Sequence, residues 1–66
     1  MQLIVNGEAR TFGQLGDVAA LVAALSLDPR KVAVERNLEI VPRSTYAQVG
    51  LCEGDRIEIV HFVGGG

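Results

Sequence analysis

The sequence predicts an α+β domain in which a mixed sheet packs on one main helix. Two observations carry this. Strand-like runs of branched apolar residues lie on both sides of a single alanine- and leucine-rich stretch, "DVAALVAALSL". The chain has 66 residues, enough for one domain, and one helix covers one face of one sheet.

"QLIVN" reads as the first strand, and Asn6-Gly7 after it is a strong hairpin signal because both residues tolerate positive φ. "EARTF" is then the returning strand. A loop of Asn6-Gly7 alone sets Leu3 against Arg10 and Met1 against Phe12. An apolar residue facing Arg is not ideal, so a longer turn stays open and the register is not fixed.

Asp17 reads as a helix N-cap whose side chain accepts from free N–H groups of the first turn. Val18, Leu21, Val22 and Leu25 fall at i, i+3, i+4 and i+7, one apolar stripe. Alanines fill the remaining positions and favour helix. Pro29 cannot continue the helix and pushes Asp28 out of the α region, so the helix is expected to end near Leu27.

"KVAVERN" is a strand with Val32 and Val34 on one face, followed by a turn at Glu35-Arg36-Asn37. "LEIV" is a short strand stopped by Pro42, and "RSTYAQVGL" is irregular or a single helical turn. Glu53-Gly54-Asp55 is a turn leading into the last strand, "RIEIVHFV". This order is compatible with a β-grasp, a mixed sheet wrapped around one helix. In the last strand, alternation puts Ile57, Ile59 and His61 inward and Arg56, Glu58, Val60 and Phe62 outward. His61 is expected as a rim residue; exposure of Val60 and Phe62 stays open against a bulge that turns Phe62 inward or a shallow edge of the core. Exposed, they would form an interaction surface.

Composition narrows the functional classes. Net charge is −2 with six basic residues scattered along the chain, so no phosphate-tracking patch appears and nucleic acid is not an expected partner. The longest apolar stretch is about half a membrane span, and "MQLIVNG" has no basic leader region, so neither membrane nor secretory leader is expected. Cys52, the single cysteine, has no internal partner; it is expected to be a semi-buried packing residue, and its reduced state suits the cytoplasm. Cys52 and His61 lie nine positions apart with no third orienting group, and the carboxylates are expected singly on the surface. No metal-ligand or Walker spacing is present, so an enzyme is not expected, and no catalytic or metal residues are assigned.

The end of the chain, "IVHFVGGG", is what remains. Residues 1–63 form the expected domain and Gly64, Gly65 and Gly66 a flexible glycine tail. Three extended glycines reach about 10 Å and enter channels too narrow for a Cβ. The group they present is the Gly66 α-carboxylate, reactive once activated as an acyl-adenylate. A merely loose terminus explains the same glycines equally well.

Four blocks carry a family resemblance: "LIVNGE", "VAALVAAL" after Asp17, "VAVERNLEIVPRSTYA" and "EGDRIEIVHFVGGG". Over essentially its full length the chain resembles the ThiS family, small sulfur carriers of thiamin thiazole synthesis. The resemblance implies a ubiquitin-like β-grasp fold. It implies that Gly66 is adenylated with ATP by a ThiF-like adenylyltransferase and converted to a thiocarboxylate by a sulfurtransferase system fed by a cysteine desulfurase. A ThiG-like thiazole synthase then receives the sulfur. ATP belongs to the activating partner, and the carrier holds no cofactor. Gly65 is the partner of Gly66 in the Gly-Gly pair, and Gly64 lengthens the reach. A chain running beyond Gly66 would need processing first. Val60, Phe62 and Val63 become docking candidates beside the tail. The alternatives are a MoaD-like carrier for molybdopterin, a protein-conjugating modifier, and a plain interaction module.

Overall fold

The computed structural model describes residues 1–62. Five strands, β1 (Gln2–Val5), β2 (Glu8–Thr11), β3 (Val32–Arg36), β4 (Glu39–Val41) and β5 (Arg56–His61), flank one helix, α1 (Val18–Ala24). Across the sheet the order is β2-β1-β5-β3-β4. β1 and β5 are parallel and the other neighbours antiparallel. The sheet is therefore mixed, and with its single main helix it is a β-grasp.

Both hairpins close with two residues. Asn6 and Gly7 have φ of 49° and 83°, the left-handed pair that matches strand twist. Leu3 then pairs with Arg10, and the mismatch is tolerated because β2 is an exposed edge strand. Arg10 lies over the Phe12 ring, 5.5 Å from its centroid. The second turn lies later than the sequence suggests. Glu35 and Arg36 belong to β3, and the turn is Asn37-Leu38 with φ of 51° and 71°. A leucine in this region is strained by about 1–3 kcal/mol, and Leu38 is 81% exposed. Leu38→Gly is expected to stabilise the fold by up to about 1 kcal/mol in urea denaturation. A loss of stability would mean that Leu38 contacts outweigh its strain.

The helix begins as expected and ends early. Asp17 accepts from the Ala20 N–H at 2.8 Å. The N–H groups of Val18 and Ala19 reach the carbonyls of Val49 and Tyr46, so the loop after β4 completes the cap. At the other end Ser26 turns left-handed (φ 59°), its N–H donates to Ala23, and Leu27 N–H donates to Val22 at 3.1 Å. This double closure ends the helix at Ala24, before Pro29 acts.

Leu3 and Val5 of β1, Val18, Leu21 and Val22 of α1, Val32 and Val34 of β3, Val41 and Ile57 are buried together. Tyr46 joins them from the segment read as irregular, with its hydroxyl donating to the Val32 carbonyl at 3.3 Å. Burial pushes its phenol pKa up. Truncating one large member such as Leu21 to Ala costs about 2–5 kcal/mol. That is much of the stability of a domain this small, at roughly 0.05–0.15 kcal/mol per residue.

Candidate functional site

β5 carries the chain towards the glycine tail, and two asparagines hold it from opposite sides. Asn6 ends β1, yet its side chain continues the ladder: Oδ1 accepts from Ile59 N–H at 2.7 Å and Nδ2 donates to the Ile59 carbonyl at 3.2 Å. Asn37 acts likewise from the other hairpin, with Oδ1 accepting from Arg56 N–H at 2.9 Å and its own N–H donating to the Arg56 carbonyl. The same amide that permits the left-handed turn thus fixes the central strand. The antiparallel ladder with β3 reaches Phe62, whose N–H donates to the Lys31 carbonyl at 2.8 Å.

The start of β5 is held by ions. Asp55 is nearly buried, against the expectation that every carboxylate lies singly on the surface. It accepts from Arg36 Nε at 2.7 Å, Asn37 Nδ2 at 3.1 Å and Cys52 N–H at 2.8 Å. Burial raises its pKa, but the three donors outweigh burial and hold the carboxyl below its ordinary value. Cys52 corrects a second expectation: it is exposed. The turn it opens is closed by Asp55 N–H donating to its carbonyl, with Gly54 at φ 83°, and its Sγ lies outward, 3.8 Å from Arg36 Nη2.

Alternation along β5 is as read. Ile57 is buried and Ile59 half-buried on the helix side, and His61 is exposed at the rim of the same face. Val60 is 61% and Phe62 48% exposed, with no bulge to turn Phe62 inward. Ile40, 76% exposed, joins this outer face because its neighbour Val41 is buried. The sequence reading passed over Ile40; the alternation within "LEIV" was the signal. Glu35 and Glu58 are paired directly across β3 and β5 on the same face. Val63, Gly64, Gly65 and Gly66 lie outside the described residues.

Acid–base machinery is not assembled by these groups: Asp55 is consumed by structural donors and Asp28 by Arg30. Among the described residues no group of three or more His, Cys, Asp or Glu side chains is placed to hold a metal. No helix among them is long and apolar enough to cross a membrane. What the site offers is two exposed apolar residues, Val60 and Phe62, at the far end of the strand that leads to the glycines, beyond the outward Arg56 and Glu58.

The model of the ThiS family matches residues 3–66. The chain belongs to the ThiS family. Sulfur carrier protein ThiS of Bacillus subtilis is 51% identical over 51 residues, 77% of each chain. A protein of Paramagnetospirillum magneticum named thiazole synthase is 59% identical over 66 residues, all of this chain. The present chain spans 20% of that protein's length. In the crystal structure of the thiamine biosynthesis protein ThiS from Geobacter metallireducens the fold superposes with a TM-score of 0.83 at 33% identity, covering both chains completely. This ThiS-family chain thus shares its β-grasp with a solved relative.

Proposed function

We propose that the chain is a sulfur carrier for the thiazole ring of thiamin and not itself an enzyme. The family match through the terminal glycines, residues 3–66, is the observation that carries the reading. In it, the Gly66 carboxylate attacks the α-phosphate of ATP in a ThiF-like adenylyltransferase and pyrophosphate leaves. The terminal sulfur of a persulfide on the sulfurtransferase and cysteine desulfurase system displaces AMP at the acyl carbon to give an acyl disulfide. A second thiol of that system attacks the donor's sulfur, releasing the Gly66 thiocarboxylate and leaving a disulfide on the donor. A ThiG-like thiazole synthase takes the sulfur, a partner supported by the likeness to a protein named thiazole synthase. The reading requires Gly66 to carry a free carboxylate.

A carrier of this kind needs a surface its enzymes recognise and an end they can reach. Val60 and Phe62 are exposed and supply the first; Ile40 lies on the same face two strands away, across Glu35 and Glu58, and Val63 beside Gly64 and Gly65 stays a docking candidate from the sequence. Apolar and aromatic centres of this sort dominate binding energy in specific interfaces. The facing Glu35 and Glu58 cost stability as like charges across a ladder, and a basic group on the docked enzyme offsets that cost.

ATP–pyrophosphate exchange by a ThiF-like enzyme is expected to depend on this chain. No exchange with the intact, folded chain and an enzyme active on its own carrier would reject the reading. Phe62→Ala is expected to weaken docking to the activating enzyme roughly tenfold, with stability changed by less than about 1 kcal/mol. Severe unfolding with unchanged affinity per folded molecule would place Phe62 in the core.

A further inference from the structure

A second surface lies on the helix layer, away from the outer face. It is a groove of about 350 Å³ between α1 and the two 3-10 turns, Pro29–Lys31 and Arg43–Thr45. Its concavity comes from small side chains: Ala19 and Ala23 on the helix and Ala47 opposite. Val22, Leu27 and Tyr46 give it an apolar lining. Two guanidinium groups from separate elements, Arg30 and Arg43, stand at this groove.

We propose that this groove docks an acidic segment of a partner protein, with an aliphatic side chain in the alanine-walled hollow and a carboxylate on Arg43. The inference goes beyond the sulfur-carrier reading and does not depend on it.

Charge argues for the acidic partner. The chain carries −2 overall, yet Arg30, Lys31 and Arg43 gather on these two turns with Asp28 as the neighbouring carboxylate. Asp28 is already engaged: Oδ1 accepts from Arg30 Nε at 3.2 Å and Oδ2 from Arg30 Nη2 at 3.1 Å. That bond, above all, holds its carboxyl at a pKa of about 2, so it stays ionised and keeps Arg30 in place. Arg43 forms no ion pair among the described residues. Glu35 and Glu58 lie on the outer face, Asp55 is paired with Arg36, and Asp17 at the start of α1 accepts from the Ala20 N–H, so Asp28 is the carboxylate on the two turns themselves. An apolar hollow beside an uncommitted arginine matches the composition of interface centres. Three cations are too few for a nucleic-acid track.

The test uses the whole chain labelled with nitrogen-15. The probe is an acetylated, amidated ten-residue peptide of leucines flanked by glutamates, and the control has every glutamate replaced by glutamine. The acidic peptide is expected to shift the amides of Ala19, Ala23, Ser44 and Ala47 saturably. The neutral peptide binds roughly tenfold more weakly, and Arg43→Glu weakens the acidic peptide by a similar factor. Arg56→Glu, on the other layer, changes neither. Arg43→Gln serves as the second variant if the charge reversal perturbs amides away from the groove. Equal binding of both peptides, shifts confined to the Val60 and Phe62 face, or no saturable shift would overturn the proposal. So would groove shifts that track protein concentration without peptide, which would assign the groove to a second copy of this chain.

Discussion

A chain lacking Gly65 and Gly66 is expected to lose all ability to restore growth to a thiamin auxotroph that lacks its own carrier. Its urea midpoint is expected to match that of the intact chain. The core closes with Ile57 and the sheet ladder with Phe62, so the deletion removes none of the described packing. The chemistry is lost because the carboxylate withdraws by about 7 Å, two extended residues, and sits on the wrong glycine. Near-attack geometry tolerates misplacement of only about 1 Å before rates fall steeply. Full complementation by the shortened chain would remove the carrier reading. Growth lost together with folding would show instead that the glycines support the fold.

The second large effect falls on Asp55. Asp55→Ala is expected to cost roughly 2–4 kcal/mol, because Arg36, Asn37 and the Cys52 N–H lose their shared acceptor in a nearly buried place. In a domain of this size that is enough to unfold a large fraction at 37 °C. The pH dependence has a definite sign. Asp55 is held below the ordinary aspartate value of 3.8 in the folded chain, so its ionised form stabilises the fold at pH above that value. The contribution fades as pH falls from there through the lower folded value. The stability gap between the intact chain and Asp55→Asn is therefore expected to stay constant between about pH 7 and pH 5 and to close in more acid solution. A gap that is unchanged by acid would mean that the charge of Asp55 contributes nothing beyond its hydrogen bonds.

Local rules were enough for most elements. Asp17 capped the helix it was expected to cap, and Val18, Leu21 and Val22 turned the predicted stripe inward. Asn6-Gly7 set the first hairpin because its backbone preference was unopposed. The departures have tertiary causes. Ser26 ends α1 early in a conformation few serines adopt, because Leu27 is then brought back beside Val22. Leu38 occupies a turn position that favours glycine, and no propensity scale places leucine there. Asn37 belongs in that turn because its amide also binds Asp55 and Arg56, partners 18 and 19 positions away. Tyr46 and Asp55 are buried by contacts with distant segments, which composition does not reveal. For the site, strand alternation placed Val60 and Phe62 outward but left their exposure open, and the regular β3–β5 register decides it. The groove beside Arg43 was not legible, since α1 and the two turns form it only when packed.

Sulfur carried on Gly66 is detected most directly by tandem mass spectrometry of the C-terminal peptide from protein purified from cells, after trapping with a thiocarboxylate-selective reagent. Exchange of oxygen for sulfur nearly equals the mass gained by oxidising Met1 or Cys52, so the change has to be localised by fragmentation. The carrier reading predicts a sulfur-for-oxygen exchange confined to Gly66 and reactive towards the trap. A Gly66 carboxyl that is always unmodified, or joined by an amide to a lysine, would contradict it.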